Sequence, residues 1–232
     1  MMNQADAGEQ VTDVSSSVVS VVLLDAQQLF TLGLESLLRG VEGISVVGNI
    51  TSPDCLADCI ELVQVDVVLM DVTFSGFDPF RVLADWTKEY VDLRFLVLSG
   101  YSEKIYAERL IRAGASGYIS KNTDLDNLVE SIKQVAEGEL AVSPRTARKL
   151  LNAYRGRVTS KGYVGGVEAL TDRELQVLGL IAQGMSTTQI ASDMGIGKKT
   201  VDTFKERIKS KLLLQTSLQL AQYAGRALGI SG

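Results

Sequence analysis

Five short apolar runs, each followed by a longer stretch with helical spacing, occupy the first 140 residues and leave few folds open. The runs are 18–24, 44–48, 67–70, 95–98 and 118–120, and they are rich in Val, Ile and Leu. Short apolar runs alternating with helical patterns argue for a parallel sheet wrapped by helices, here a doubly wound α/β domain of (βα)5 type. Local punctuation agrees. Ser52-Pro53 sets a cap and a first-turn proline ahead of the second helix, and Thr123-Asp124-Leu125-Asp126 opens a fifth helix that ends at Gly138.

Ligands of an open parallel sheet gather beyond the carboxyl ends of its strands, so the residue after each run matters most. Asp25 follows the first, Asp71 the third, Ser99 the fourth and Lys121 the fifth. One aspartate at a strand end is commonly a helix cap, and one lysine is commonly solvated. Four such groups together are harder to explain that way. A carboxylate beside a divalent metal can attack a phosphoryl donor, while an ammonium and a hydroxyl hold the oxygens of the transferred group. The chemistry suggested is aspartyl phosphorylation.

The C-terminal part has a different pattern. Thr171-Asp172-Arg173-Glu174 and Ser186-Thr187-Thr188-Gln189 each set a hydroxyl three residues ahead of Glu or Gln, fixing two helix starts. Gly195-Ile196-Gly197 makes a turn, and a third helix from about Lys198 to Leu212 carries Val201, Phe204, Ile208 and Leu212 on one buried face. Its opposite face presents Lys199, Thr203, Glu206 and Ser210, flanked by Lys198, Thr200, Asp202, Arg207 and Lys209. Such a face suits the major groove: the cations meet phosphates or guanine edges, Thr203 a thymine methyl, Glu206 a cytosine amine. A solvated helix face is the plainer alternative, but two capping boxes and a glycine turn before the basic helix favour DNA. Charge is divided to match. Residues 1–144 hold 9 Lys and Arg against 22 Asp and Glu, a net of −13, and residues 145–232 hold 14 against 6, a net of +8.

These residues carry two resemblances. Leu-Thr-Asp-Arg-Glu-Leu-Gln-Val-Leu, Thr-Thr-Gln-Ile-Ala and the basic helix together resemble a LuxR-type helix-turn-helix over about residues 168–228. The resemblance implies an all-α, four-helix domain in which the helix from Lys198 is the recognition helix. A fourth helix, from Thr216 to about Ala227, would form the dimer contact. Val-Val-Leu-Met-Asp71-Val-Thr-Phe-Ser-Gly, Val-Leu-Ser99-Gly and Ala-Gly-Ala-Ser-Gly-Tyr118-Ile-Ser-Lys121 resemble a two-component receiver domain, flavodoxin-like in fold, over about residues 18–140. In this order the chain resembles a NarL/FixJ-type response regulator. The resemblance implies that Asp71 is the phosphoacceptor, and that Asp25, Asp71 and the carbonyl of Thr73 hold Mg²⁺. It further implies that Ser99 and Lys121 contact the phosphoryl group and that Tyr118 is the switch aromatic. The implied partners are double-stranded promoter DNA, a sensor histidine kinase or other phosphodonor, and a second copy of the chain.

The acidic pair expected after the first strand is Asp25-Ala26 here, so one metal-binding carboxylate is missing. That departure keeps open a second reading, a DNA-binding regulator gated by a small molecule or protein partner rather than by phosphorylation. A hydrolase of the haloacid dehalogenase kind is disfavoured by Asp71-Val72-Thr73, which lacks the second carboxylate of Asp-x-Asp. Phosphorylation of the chain itself is single-turnover chemistry, so the chain is not read as an enzyme.

The first seventeen residues are polar and acidic and read as a disordered tail, not a signal peptide; the apolar run 18–24 is too short to span a bilayer, and a cytoplasmic protein without a membrane partner is expected. Cys55 and Cys59 read as small residues on a helix face. Trp86, with Val82, Leu83 and Tyr90, reads as core or interface. A linker over 141–167 contains a short helix from about Arg145 to Tyr154, then a glycine-rich tether, Gly156 to Gly166, that allows domain motion. One consequence considered is that the unmodified receiver covers the recognition helix or prevents its pairing.

Overall fold

The computed structural model describes residues 18–155 and 166–228. Its N-terminal unit is a five-stranded parallel sheet in the order β2-β1-β3-β4-β5, built from β1 (Val19–Leu24), β2 (Ile44–Ile50), β3 (Val67–Met70), β4 (Arg94–Ser99) and β5 (Gly117–Ser120). β3 is buried at all four positions, and β1 and β4 at all but their first one or two, as a sheet covered on both faces requires. Successive residues point to opposite faces. Val21, Leu23, Leu69, Leu96 and Leu98 pack under α1 (Gln28–Leu38) and α5 (Leu125–Ala136). Leu24, Val68, Met70, Phe95 and Val97 face α2 (Leu56–Leu62), α3 (Pro79–Glu89) and α4 (Glu103–Arg112).

The local signals act as their chemistry requires, with one adjustment. Asp78 caps α3 ahead of Pro79, and Asp124 caps α5, which Gly138 closes at φ +85°. Ser52 also caps, accepting from the amide of Asp54, but what it starts is a 3₁₀ turn over Pro53–Cys55 rather than the α-helix itself. Cys55 therefore sits in that turn, exposed, while Cys59 lies half-buried in α2; both are free thiols. Trp86 is half-buried and stacks on Phe95 at 5.7 Å, a core role.

After the receiver-like unit, α6 (Pro144–Tyr154) is capped by Ser143 and held to the start of α4. Glu103 accepts there from the Ser143 amide at 3.2 Å and from the Thr146 hydroxyl at 2.7 Å. The predicted tail and most of the predicted tether, Gly156 to Gly165, lie outside the described residues.

The C-terminal unit is four helices, α7 (Asp172–Ala182), α8 (Thr187–Asp193), α9 (Lys198–Leu212) and α10 (Ser217–Leu228). Both capping boxes are complete, with Thr171–Glu174 and Ser186–Gln189 satisfying each other's backbone groups. Leu175, Leu178, Ile190, Val201, Ile208 and Leu220 form the shared core. Within it, Glu174 also accepts from Lys211 at 2.6 Å, tying α7 to α9. Burial alone would raise the carboxyl of Glu174, but the Lys211 ammonium and the Thr171 amide outweigh it and hold the group below its ordinary value.

The two units are docked. Arg109 of α4 pairs with Asp172 at 2.6 Å and donates to the Leu170 carbonyl at 2.7 Å. Asp193 accepts from the Ser75 hydroxyl at 2.6 Å and the Gly76 amide at 3.1 Å, while Gln176 donates to the Phe77 carbonyl at 2.9 Å. The receiver side thus holds α7 and the end of α8. The outer face of α9 stays exposed, so covering of the recognition helix, considered from sequence, is not the arrangement found.

A depressed carboxyl stabilises the fold above the unfolded value and loses that contribution as pH falls through the folded one. Glu174→Gln is therefore expected to cost about 2 kcal/mol at neutral pH. It should also flatten the acid side of the stability profile, as measured by urea unfolding between pH 3 and 7.

Candidate functional site

The order β2-β1-β3 reverses the direction of winding between β1 and β3, which opens a crevice at their carboxyl ends. Asp25 and Asp71 stand just past those strands and are 4% and 2% exposed, so two carboxylates are buried together. What makes this tolerable is Lys121, carried in from the end of β5: its ammonium lies 2.6 Å from Asp25 Oδ2 and 3.4 Å from Asp71 Oδ2. The same ammonium sits 4.6 Å from the centre of the Phe30 ring, a cation–π contact. Asp25 Oδ1 accepts from the Gln27 amide at 2.8 Å, and the Thr73 hydroxyl donates to Asp71 Oδ2. Asp71 Oδ1 is buried without a hydrogen-bond partner among the described residues. An orphaned carboxylate oxygen in a crevice is poised to take a ligand or attack one.

Ser99, fully buried as the last residue of β4, accepts from the Tyr101 amide at 3.2 Å. Tyr118 is turned inward, 1% exposed, and donates its hydroxyl to the Tyr101 carbonyl at 2.8 Å. Burial raises that phenol well above its ordinary value, so it remains a neutral donor. Asp25, Asp71, Thr73 and Lys121 are therefore brought into direct contact, while Ser99 and Tyr118 meet through the backbone of Tyr101. For Mg²⁺ the crevice offers hard oxygens and one unpartnered carboxylate atom, and a magnesium ion keeps several waters. The residues fit such an ion with a reduced ligand set, since Ala26 supplies no carboxylate.

On the second unit, Lys198, Lys199, Thr200, Thr203, Glu206 and Arg207 all lie exposed on α9. Lys209 departs from the expected face: its side chain is 14% exposed and pairs with Glu206 at 2.8 Å, because at i+3 it lies beside Glu206 toward the packed side. Lys205 donates to Thr187 at 2.6 Å and helps lock α9 to α8. On α10 Leu218 and, just before it, Leu213 are exposed apolar side chains.

Sequence reasoning missed Arg109, Gln176, Gln183 and Asp193, which join the units. Long-range polar pairs leave no periodic trace. The aromatic residues Phe74 and Phe77 in the loop after Asp71 were the one available signal.

This fold and these two sites define a receiver joined to a helix-turn-helix. Residues 21–133 match the family described as response regulator receiver domain, and residues 168–224 match bacterial regulatory proteins, luxR family. Response regulator GacA of Pseudomonas aeruginosa is 30% identical over 213 residues, spanning 90% of this chain and 96% of that one. Fimbriae Z protein of Salmonella typhimurium is 32% identical over 205 residues, 88% and 95% of the two chains. The chain belongs to the NarL/FixJ-type two-component response regulators. RcsB from Salmonella enterica serovar Typhimurium, solved bound to promoter DNA with the phosphomimetic BeF₃⁻, shares the fold at a TM-score of 0.69 and 20% identity. That match covers 90% of this chain and 100% of the other.

Ala26→Asp should restore a third carboxylate and raise Mg²⁺ affinity by about tenfold, since one added charge near a partly buried cation is worth on the order of 1–4 kcal/mol. Isothermal titration with Mg²⁺ checks it; unchanged affinity would show that position 26 does not face the metal.

Proposed function

We propose that the chain is a cytoplasmic, DNA-binding transcriptional regulator whose receiver is phosphorylated on Asp71, and that this modification controls dimerisation and promoter binding. The proposed units are the receiver over 18–140, a connecting segment over 141–167 and the DNA-binding domain over 168–232. One observation carries the reading: Asp71 presents an unpartnered Oδ1 in a crevice where its other oxygen is already held by Thr73 and Lys121.

In the proposed reaction Oδ1 attacks the phosphorus of a phosphohistidine on a separate kinase. The new O–P bond forms as the P–N bond breaks, and the electron pair leaves on the imidazole nitrogen. A bound Mg²⁺, held by Asp25, Asp71 and the Thr73 carbonyl, would supply charge neutralisation on the phosphoryl oxygens. Lys121 exchanges a carboxylate partner for a phosphoryl oxygen, and the Ser99 hydroxyl turns toward another. Because Ser99 and Tyr118 both bond the backbone of Tyr101, their rearrangement reaches the segment that touches α7.

On the output side, Lys199, Arg207 and the other exposed groups of α9 would enter the major groove, one helix from each of two copies meeting a two-fold site. The exposed Leu218 of α10 supports a contact between copies.

The test measures mass and promoter-DNA affinity of the chain with and without Mg²⁺ plus beryllofluoride. Tighter DNA binding and a dimer mass are expected for the wild type and neither for Asp71→Asn; an equal response in both would remove Asp71 from the switch. Arg207→Ala is expected to weaken DNA binding and to lower the slope of log affinity against log salt by about one.

A further inference from the structure

Between the two units lies a cavity of about 260 Å³ that the reading above does not use. One wall is a flat aromatic stack from the receiver: Tyr101 lies on Tyr106 at 4.8 Å and 12°, and Tyr106 on Phe80 at 6.2 Å and 5°. Phe74 and Phe77, edge to face at 5.4 Å, form a second wall. Leu180, Met185 and the bare backbone of Gly179 close the third side from α7 and the turn after it. Gly179 is what admits the phenols: a Cβ there would lie 3.3 Å from the Tyr106 oxygen and 3.4 Å from that of Tyr101.

The polar groups in the lining are few and unevenly satisfied. Gln176 is spent on Arg173 and the Phe77 carbonyl, and one oxygen of Asp193 on Ser75 and Gly76. Gln183 donates to the Tyr101 hydroxyl at 2.7 Å, which leaves its carbonyl oxygen as an acceptor. Tyr106 is 3% exposed, and its hydroxyl has no hydrogen-bonding partner among the described residues. Among the described residues no cation lines the space and Asp193 is its one charged residue, while Asp71 lies two residues from the lining Thr73. An anion would therefore be repelled, while a flat ring gains from stacking on the tyrosines.

We propose that this cavity is a binding site for a small, uncharged, planar aromatic molecule that offers an acceptor to the Tyr106 hydroxyl and a donor to the Gln183 carbonyl. Its volume, just under that of common ligand pockets, limits the occupant to about two fused rings. A bound molecule touches Thr73 and Phe74 on one side and α7 on the other, so it bridges the units beside the crevice. The site depends on the docked arrangement and not on phosphorylation of Asp71.

The chain's single tryptophan, Trp86, lies 6.0 Å from the lining residue Phe77 and serves as reporter. The probe is 2-quinolinone, a two-ring lactam with one donor and one acceptor; quinoline-2-carboxylate, of similar shape but anionic, is the comparison. Titration of the full chain should quench Trp86 saturably with one site per chain, and the anion should bind at least tenfold more weakly. Tyr106→Phe, which keeps the ring and removes the hydroxyl, should weaken the probe about tenfold. Leu180→Phe and Met185→Phe, which fill the space, should weaken it further at an unchanged melting temperature. Unsaturable quenching, equal binding of the anion, unaltered affinity in Tyr106→Phe, or affinity within twofold in a filled variant that melts as wild type would each overturn the proposal.

Discussion

Everything in the receiver crevice depends on one ammonium placed between two buried carboxylates. Two negative charges at the end of a parallel sheet would repel each other and lose hydration, a cost of several kcal/mol. Lys121 offsets it from the far side of the crevice, at 2.6 Å from Asp25 and 3.4 Å from Asp71. Because the lysine follows β5 and the aspartates follow β1 and β3, the pairing forms only when the sheet has closed in the right order. The phenylalanine ring under the ammonium adds to its position without adding charge. The result is a cluster that is electrostatically complete on one side and open at a single atom, Asp71 Oδ1.

The coupling to the second unit is made of different material. Tyr101 is bonded through its amide to Ser99, through its carbonyl to Tyr118 and through its phenol to Gln183, so one residue spans from crevice to α7. Around it the contact is largely aromatic and apolar, continuous with the core on the α3–α4 side of the sheet. Ion pairs such as Arg109–Asp172 and Arg173–Asp78 lie at its edge, where water screens them and their contribution is small. Apolar packing sets the position of the units, and polar contacts set their register.

Much of this was legible in the residues because it rests on local rules. Strand positions, both capping boxes, the glycine turn and the packed stripe of α9 follow from periodicity and backbone chemistry; Asp25, Asp71 and Lys121 follow from counting one step past a strand, while Ser99 proves to be the last residue of β4. Helix boundaries were coarser: proline after Ser52 permits a 3₁₀ turn as readily as an α-helix, so α2 starts at Leu56. By angle Lys209 flanks the outer face of α9, whereas its long chain folds back onto Glu206. The contacts of Arg109, Gln183 and Asp193 span dozens of residues, and no spacing rule links such pairs before the fold exists.

The docking of α7 rather than α9 alters what control can mean for this chain. With the outer face of α9 uncovered while the units are together, access to a groove is not what the receiver of the proposed regulator would ration. What it fixes is the direction in which that helix faces. Two copies reading opposite halves of one site must present their helices about one turn of DNA apart, and a rigid unit hung on each at the wrong angle makes that spacing unreachable. For the regulator proposed above, control would then be a matter of aim, in which a single copy could touch DNA and only realigned pairs could hold it.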